Sequence, residues 1–255
     1  MPELPDIENY VSVIRRDIEG QRLKDIRLRS IFLVRTVEPP VRSLIDLCLR
    51  NVSRLGKRLV FAFGARDDQL FLVLHLMIAG RLSWKKPGAG LPGKRGLCAF
   101  DFERGSLVLT EAGKNKRASV YVVRTEDEVA LHDPGGLEIL DSDLDDFSRV
   151  LSSRNHTLKR ALTDPRLFSG IGGAYADEIM HAAGLSPVRW TSRLTDEESK
   201  RLYIACRTVL RDWTARIRAE TGDRWPTVTA FRDGMAVHGR FGEPCPRCGN
   251  PVQRI

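Results

Sequence analysis

At 255 residues the chain is long enough to bury two modest cores, and 42% hydrophobic with 29% charged residues is a globular composition that excludes an intrinsically disordered protein. Its longest apolar run, LFLVLHLMIAG, is interrupted by His75 and falls far short of the roughly 20 residues a membrane-spanning helix needs. Lysine and arginine exceed aspartate and glutamate by 41 − 33 = 8, which leaves two readings open, a protein facing a polyanion or a soluble protein that is simply basic.

The start, MPELPDIE, is acidic and lacks the basic region and hydrophobic stretch of a secretory signal, so cytoplasmic residence is expected. The five cysteines then read as thiols or metal ligands more readily than as disulfides. Over residues 5–19, Ile7, Tyr10, Val11, Ile14 and Ile18 fall at helical spacing, with Gly20 as a stop. From 22 to 124, β-rich runs recur (RLKDIRLRSIFLV, RLVFAFG, QLFLVLHLMI, LCAFDFE, SLVLTE, ASVYVV), and a helix-like insertion, PPVRSLIDLCLR, sits among them. Polar and glycine-rich turns between the runs predict an antiparallel sandwich. The segment 85–96 is a loop by composition.

Charge divides the chain. Residues 1–133 carry 23 basic and 17 acidic groups, 134–148 five acids and no base, and 149–255 carry 18 basic and 11 acidic groups. Past the acidic connector, helical patterns are expected at 143–152, 157–164, 174–184 and from Asp196 to about Glu220. Thr195 and Glu198 have the spacing of a capping box for the last of these. The expected division is a β-sandwich over 1–133, a connector over 134–148, a helical domain over 149–235 and a metal-binding tail over 236–255. Between two helices lies LFSGIGGAYADEI, a glycine-rich turn that either holds a phosphate on its backbone N–H groups or is a plain tight turn.

Two terminal features carry chemistry. Proline after the initiator methionine makes Met1 removable, which would leave Pro2 as a free secondary amine with Glu3 behind it. An α-amino group titrates at roughly 7.7–8.0, so part of it is unprotonated at neutral pH. With Met1 retained, the Pro2 nitrogen is an amide and cannot react. At the other end Cys245 and Cys248 form a C-x-x-C in a turn-rich stretch, half of a zinc site or, with weaker support, a redox pair. Cys48, Cys98 and Cys206 lie in apolar patterns and are expected to pack as small hydrophobes.

MPELPDIE, the glycine turn ahead of YADE, and HGRFGEPCPRCG occur in this order along the whole chain, which therefore resembles the formamidopyrimidine-DNA glycosylase and endonuclease VIII family. The resemblance implies an α+β protein with an N-terminal antiparallel β-sandwich, a helix–two-turns–helix domain and a zinc finger that is incomplete here, with a second C-x-x-C beyond Ile255. It implies a monomer in the bacterial cytoplasm that acts on damaged double-stranded DNA held between two lobes, and that removes oxidised bases and cuts the strand. Pro2 would attack the sugar C1′ and form a Schiff base, and Glu3 would move protons at the sugar.

Lys57, by the same resemblance, would bind the phosphate beside the lesion and Lys159 another phosphate. Gly173 stands where the family has a phosphate-binding asparagine, leaving only its backbone N–H, and Tyr175, in the helix that follows, would be a DNA-binding residue. Ile78 would be the wedge that fills the gap left by the everted base, and Arg240 lies in the finger's approach to DNA. Cys245 and Cys248 would ligate structural zinc. The family's arginine–phenylalanine pair is replaced by TEAGKNKRAS, and the loop ETGDRWPTVTAFRDG looks short, so oxidised pyrimidines, or binding without catalysis, are the alternatives to an oxidised-purine substrate.

Overall fold

Strands β3 (Arg58–Phe63) and β4 (Leu70–His75) are apolar at nearly every position because both faces of their sheet are covered. In this computed structural model, which describes residues 1–65, 68–229 and 231–255, one face presents Leu59, Phe61, Phe63, Leu70, Leu72 and Leu74 to the main core. The opposite face presents Val60, Ala62, Phe71 and Val73 to a smaller cluster closed by Tyr121 and Val129.

That sheet has the order β2 (Leu49–Leu55), β3, β4, β8 (Ser119–Val123). The second sheet runs β1 (Leu23–Leu28), β6 (Gly96–Phe102), β7 (Ser106–Glu111), β5 (Gly80–Lys85), and every named pairing in both is antiparallel. Cys98, Phe100, Phe102, Leu107 and Leu109 of the second sheet enter the same core, making a sandwich. Helix α1 (Leu4–Ile18) lays Ile7, Tyr10, Ile14 and Ile18 on it at 0% exposure. The Tyr10 hydroxyl is satisfied by the main chain of Leu82, accepting from its N–H at 3.2 Å. Short helix α2 (Glu126–Ala130) supplies Val129 to the outer face.

The expected helix over 39–50 does not form. Val41–Leu44 make a single 3-10 turn, Asp46 takes a left-handed φ of 66° that ends any helical path, and the chain enters β2 at Leu49. The run 22–34 is a strand only to Leu28, with a 3-10 turn at Ile31–Leu33.

Two compact units emerge. The first comprises Met1–Pro2, Asp6–Asp133 and Ile217–Val228, and the second Glu3–Pro5, Pro134–Arg216 and Thr229–Ile255. The second is helical, with α3 (Leu144–Ser152), α4 (Leu158–Thr163), α5 (Gly173–Ala183) and most of α6 (Asp196–Thr221). Its interior includes Phe147 against Phe168 and Tyr203, with ring centroids 5.2 and 5.4 Å apart. The capping box is present: Glu198 N–H donates to Thr195 Oγ1 at 3.2 Å, and Thr195 N–H donates to Glu198 Oε2 at 3.0 Å. Among the described residues no helix is long and apolar enough to cross a membrane. Ala230, within the 220–234 loop, lies outside the described residues.

Candidate active site and nucleic-acid interface

Helix α5 opens on glycine, which has no side chain to cap the first N–H groups of the helix. The cap comes from the beginning of the chain. Glu3 Oε2 accepts from Gly172 N–H at 2.7 Å and Tyr175 N–H at 3.3 Å, and Oε1 accepts from Ala174 N–H at 3.0 Å. A carboxylate suits this place because it accepts only, and because the positive end of the helix dipole faces it. Glu3 is 4% exposed and Pro2 is buried. Leu4 N–H donates to Gly170 O at 2.9 Å and continues the attachment.

The glycines differ in necessity. A Cβ on Gly172 would lie 2.5 Å from Glu3 Cδ, and one on Gly170, whose φ is +77°, would lie 2.8 Å from Leu4 Cβ. A Cβ on Gly173 would meet nothing within 4 Å. The turn that could hold a phosphate thus gives the N–H groups of Gly172, Ala174 and Tyr175 to a carboxylate of its own chain. The Tyr175 side chain is 1% exposed and meets Trp213 edge-on at 6.2 Å, so its ring is enclosed in the helical unit.

Further along α5, Glu178 is buried and accepts from three consecutive N–H groups, Ala236 at 2.7 Å and Val237 and His238 at 2.9 Å each. Asp177 takes His238 Nδ1 at 2.8 Å and Lys159 Nζ at 3.1 Å. Burial works to raise the Asp177 carboxyl, but the bonds from His238 and Lys159 outweigh it and hold the group below the usual carboxylate range. Lys159 is therefore paired with an acid of its own unit. Arg240 is engaged locally, with Nη2 2.6 Å from Glu243 and Nη1 donating to Met235 O at 3.2 Å.

Cys245 and Cys248 lie in one turn, which the Cys245 N–H closes on Asn250 O at 2.8 Å and the Gly249 N–H on Cys245 O at 2.9 Å. Backbone N–H groups of Arg247 and Cys248 and the His181 ring, whose Nε2 is 3.4 Å from Sγ, pull the Cys245 thiol down to about 6. The thiols suit zinc chemically, yet among the described residues no group of three or more His, Cys, Asp and Glu is placed to hold a metal ion. The donor set is two of the four that a structural zinc site uses. Cys98 and Cys206 are buried, which pushes their thiols up.

In the sandwich unit, Lys57 follows Gly56, whose φ of +58° turns β2 into β3. Ile78, in the turn between β4 and β5, is 59% exposed although apolar. His75, at the end of β4, is lowered to about 4 by burial and by the cations Arg58 and Lys57. Sequence reasoning missed what Asp177 and His181 do. Their separation of four on a helix, which puts both on one face, was the available signal.

Known proteins bear on this geometry. Residues 1–134 match the formamidopyrimidine-DNA glycosylase N-terminal domain, and residues 136–221 match the formamidopyrimidine-DNA glycosylase H2TH domain. A sandwich unit and an H2TH unit in one chain are the parts of a DNA glycosylase of this type. The chain belongs to the formamidopyrimidine-DNA glycosylase family. It is 31% identical to the formamidopyrimidine-DNA glycosylases of Heliobacterium modesticaldum, over 265 residues, and Laribacter hongkongensis, over 267. Each alignment covers 100% of this chain and 94% of the relative. The crystal structure of the MutM (Fpg) protein from Thermus thermophilus superposes with a TM-score of 0.81 at 31% identity, covering 100% of this chain and 93% of that one. A Lactococcus lactis Fpg mutant solved with a Fapy-dG containing DNA gives 0.85 at 25% identity, with 100% and 94% covered.

Proposed function

We propose that the protein removes an oxidised base, a formamidopyrimidine or oxidised purine by preference, from double-stranded DNA through a Schiff base on Pro2, and then cuts the strand by elimination. The observation that carries this reading is the seat of Glu3. A buried carboxylate bound by three backbone N–H groups stands one peptide bond after Pro2. After loss of Met1 Pro2 is a secondary amine. Its lone pair attacks C1′, and the base leaves with its bonding electrons and takes up a proton. The Pro2 nitrogen then gives up its own proton, and the C1′–O4′ bond opens with a proton delivered to O4′. The iminium so formed between Pro2 N and C1′ makes the C2′ proton acidic enough for elimination of the 3′-phosphate. Glu3 is the carboxyl group at the sugar.

In this reading Lys57 and Lys159 bind phosphates, and Gly173, through its N–H, and Tyr175 belong to the DNA-binding surface at the start of α5. Ile78 fills the space left by the everted nucleotide, and Arg240 belongs to the hairpin that approaches the lesion. Cys245 and Cys248 supply two ligands to a structural zinc ion. The catalytic sandwich ends near residue 133, the connector spans 134–148, the DNA-binding helices reach 235 and the finger begins at 236. The place of work is the bacterial cytoplasm, on the nucleoid.

A panel of duplexes, each with one lesion, tests the reading. Faster strand cleavage at formamidopyrimidine or oxidised guanine supports it. Preference for oxidised pyrimidines would keep the chemistry and change the substrate. Binding without cleavage would make the protein a lesion-recognition factor.

A further inference from the structure

The turn Leu76–Gly80 crosses from β4 in one sheet to β5 in the other, and its shape is held unusually tightly. Leu76 is 1% exposed and anchors one end. Met77 takes a left-handed φ of +52°, a conformation that a bulky side chain adopts only where its surroundings impose it. Gly80 N–H closes the turn on Leu76 O at 2.9 Å. Only glycine fits there, because a Cβ would lie 2.2 Å from that oxygen.

The next residue binds the turn's carbonyls. Arg81 Nη1 donates to Gly80 O at 2.7 Å and to Ile78 O at 3.2 Å, while Nε donates to Val228 O at 2.8 Å. Val228 is itself fixed, since it belongs to the main core. Trp225, three residues earlier, stacks on Trp84 at 6.1 Å and donates from Nε1 to Asp17 at 2.7 Å. One planar guanidinium thus ties the Ile78 turn to a rigid segment of the same unit. Its donors fork in fixed directions, a geometry that a lysine ammonium does not reproduce.

We propose that Arg81 is a positioning residue that holds the turn preformed, so that Ile78 enters the duplex without reordering of the loop. The inference rests on the reading of Ile78 as the wedge. An apolar side chain presented in its final conformation loses less freedom on insertion than one carried on a mobile loop.

The test is the fluorescence of 2-aminopurine placed beside an abasic-site analogue in duplex DNA, mixed with excess protein. Wild type, Ile78→Ala, Arg81→Ala, Arg81→Lys and the Ile78→Ala/Arg81→Lys double variant are compared, with thermal unfolding as the control for folding. Ile78→Ala and Arg81→Lys should each slow the rise by about tenfold, and the double variant should be no slower than Ile78→Ala, because the two act through one contact. Arg81→Lys keeps the charge and serves as the test if Arg81→Ala does not fold. Wild-type kinetics in Arg81→Lys would show that only the charge matters and would overturn the inference while leaving the wedge intact. Wild-type kinetics in Ile78→Ala would remove the wedge reading and the inference with it.

Discussion

Glu3 and Gly172 are 169 residues apart in sequence, yet the Gly172 N–H donates to the Glu3 carboxylate at 2.7 Å, and the Gly172 Cα leaves no room for a methyl group against that carboxylate. The Glu3 carboxylate is thereby the N-terminal cap of helix α5. Gly172→Ala should displace Glu3 and destabilise the fold by about 1–3 kcal/mol, the usual cost of overpacking. Gly173→Asn is the contrasting case. It meets open space, should leave the unfolding midpoint nearly unchanged, and should tighten DNA binding by restoring an amide side chain. Thermal unfolding with DNA titration separates the two variants, and equal damage from both would contradict the assignment of Glu3 as the cap.

Glu178→Ala should free the segment 236–238. Three N–H groups lose their acceptor at once, and each buried donor left unsatisfied costs about 1–3 kcal/mol where water cannot replace the carboxylate. Hydrogen exchange at Ala236, Val237 and His238 should accelerate by at least about tenfold while the amides in the middle of α5 stay protected. Unchanged exchange would show that other contacts hold the segment.

These two carboxylates show where the sequence was readable and where it was not. The capping box at Thr195 and the long helix after it were legible because their partners lie three residues apart. The terminal motifs were legible because their residue types are chemically specific. The bonds made by Glu3 and Glu178 to backbone N–H groups left no pattern, since the donors are glycine, alanine, tyrosine, valine and histidine, and any residue but proline supplies one. Strand β2 was missed for a different reason. A register shift between Leu49 and Asn51 puts Leu49 and Val52 on the core side, three residues apart, and that spacing imitates a helix. Strands β3 and β4 were recognised as strands although they do not alternate, because they are short, apolar and bounded by turns.

Acid should weaken the sandwich through His75. An unfolded-chain histidine titrates near 6.5, and burial with two neighbouring cations lowers the folded group to about 4. Between those values the unfolded chain binds a proton that the folded chain does not, so stability present above pH 6.5 is lost as the pH falls toward 4. The loss is at most about 3 kcal/mol. Urea unfolding of wild type and His75→Gln at pH 7.5 and 4.5 measures it. The variant should lose less stability than wild type on acidification, and identical losses would remove His75 as the cause.

Lys57→Ala should weaken binding to damaged and undamaged duplexes alike. Loss of one phosphate contact reduces the slope of log K against log salt by about one. Fluorescence anisotropy at several salt concentrations gives the slope directly, and an unchanged slope would show that Lys57 contacts no phosphate.

In the proposed reaction the reactive amine is the nitrogen of Pro2. Borohydride reduces a Schiff base to a stable amine, so a reaction with lesion-bearing duplex in its presence should leave protein joined to DNA. Mass spectrometry of the digested adduct then locates the bond. A single modified peptide is expected, one that begins at Pro2, lacks Met1 and carries the sugar on its terminal nitrogen. Attachment to Lys57 or any other lysine, or trapping by a chain that still carries Met1, would contradict it.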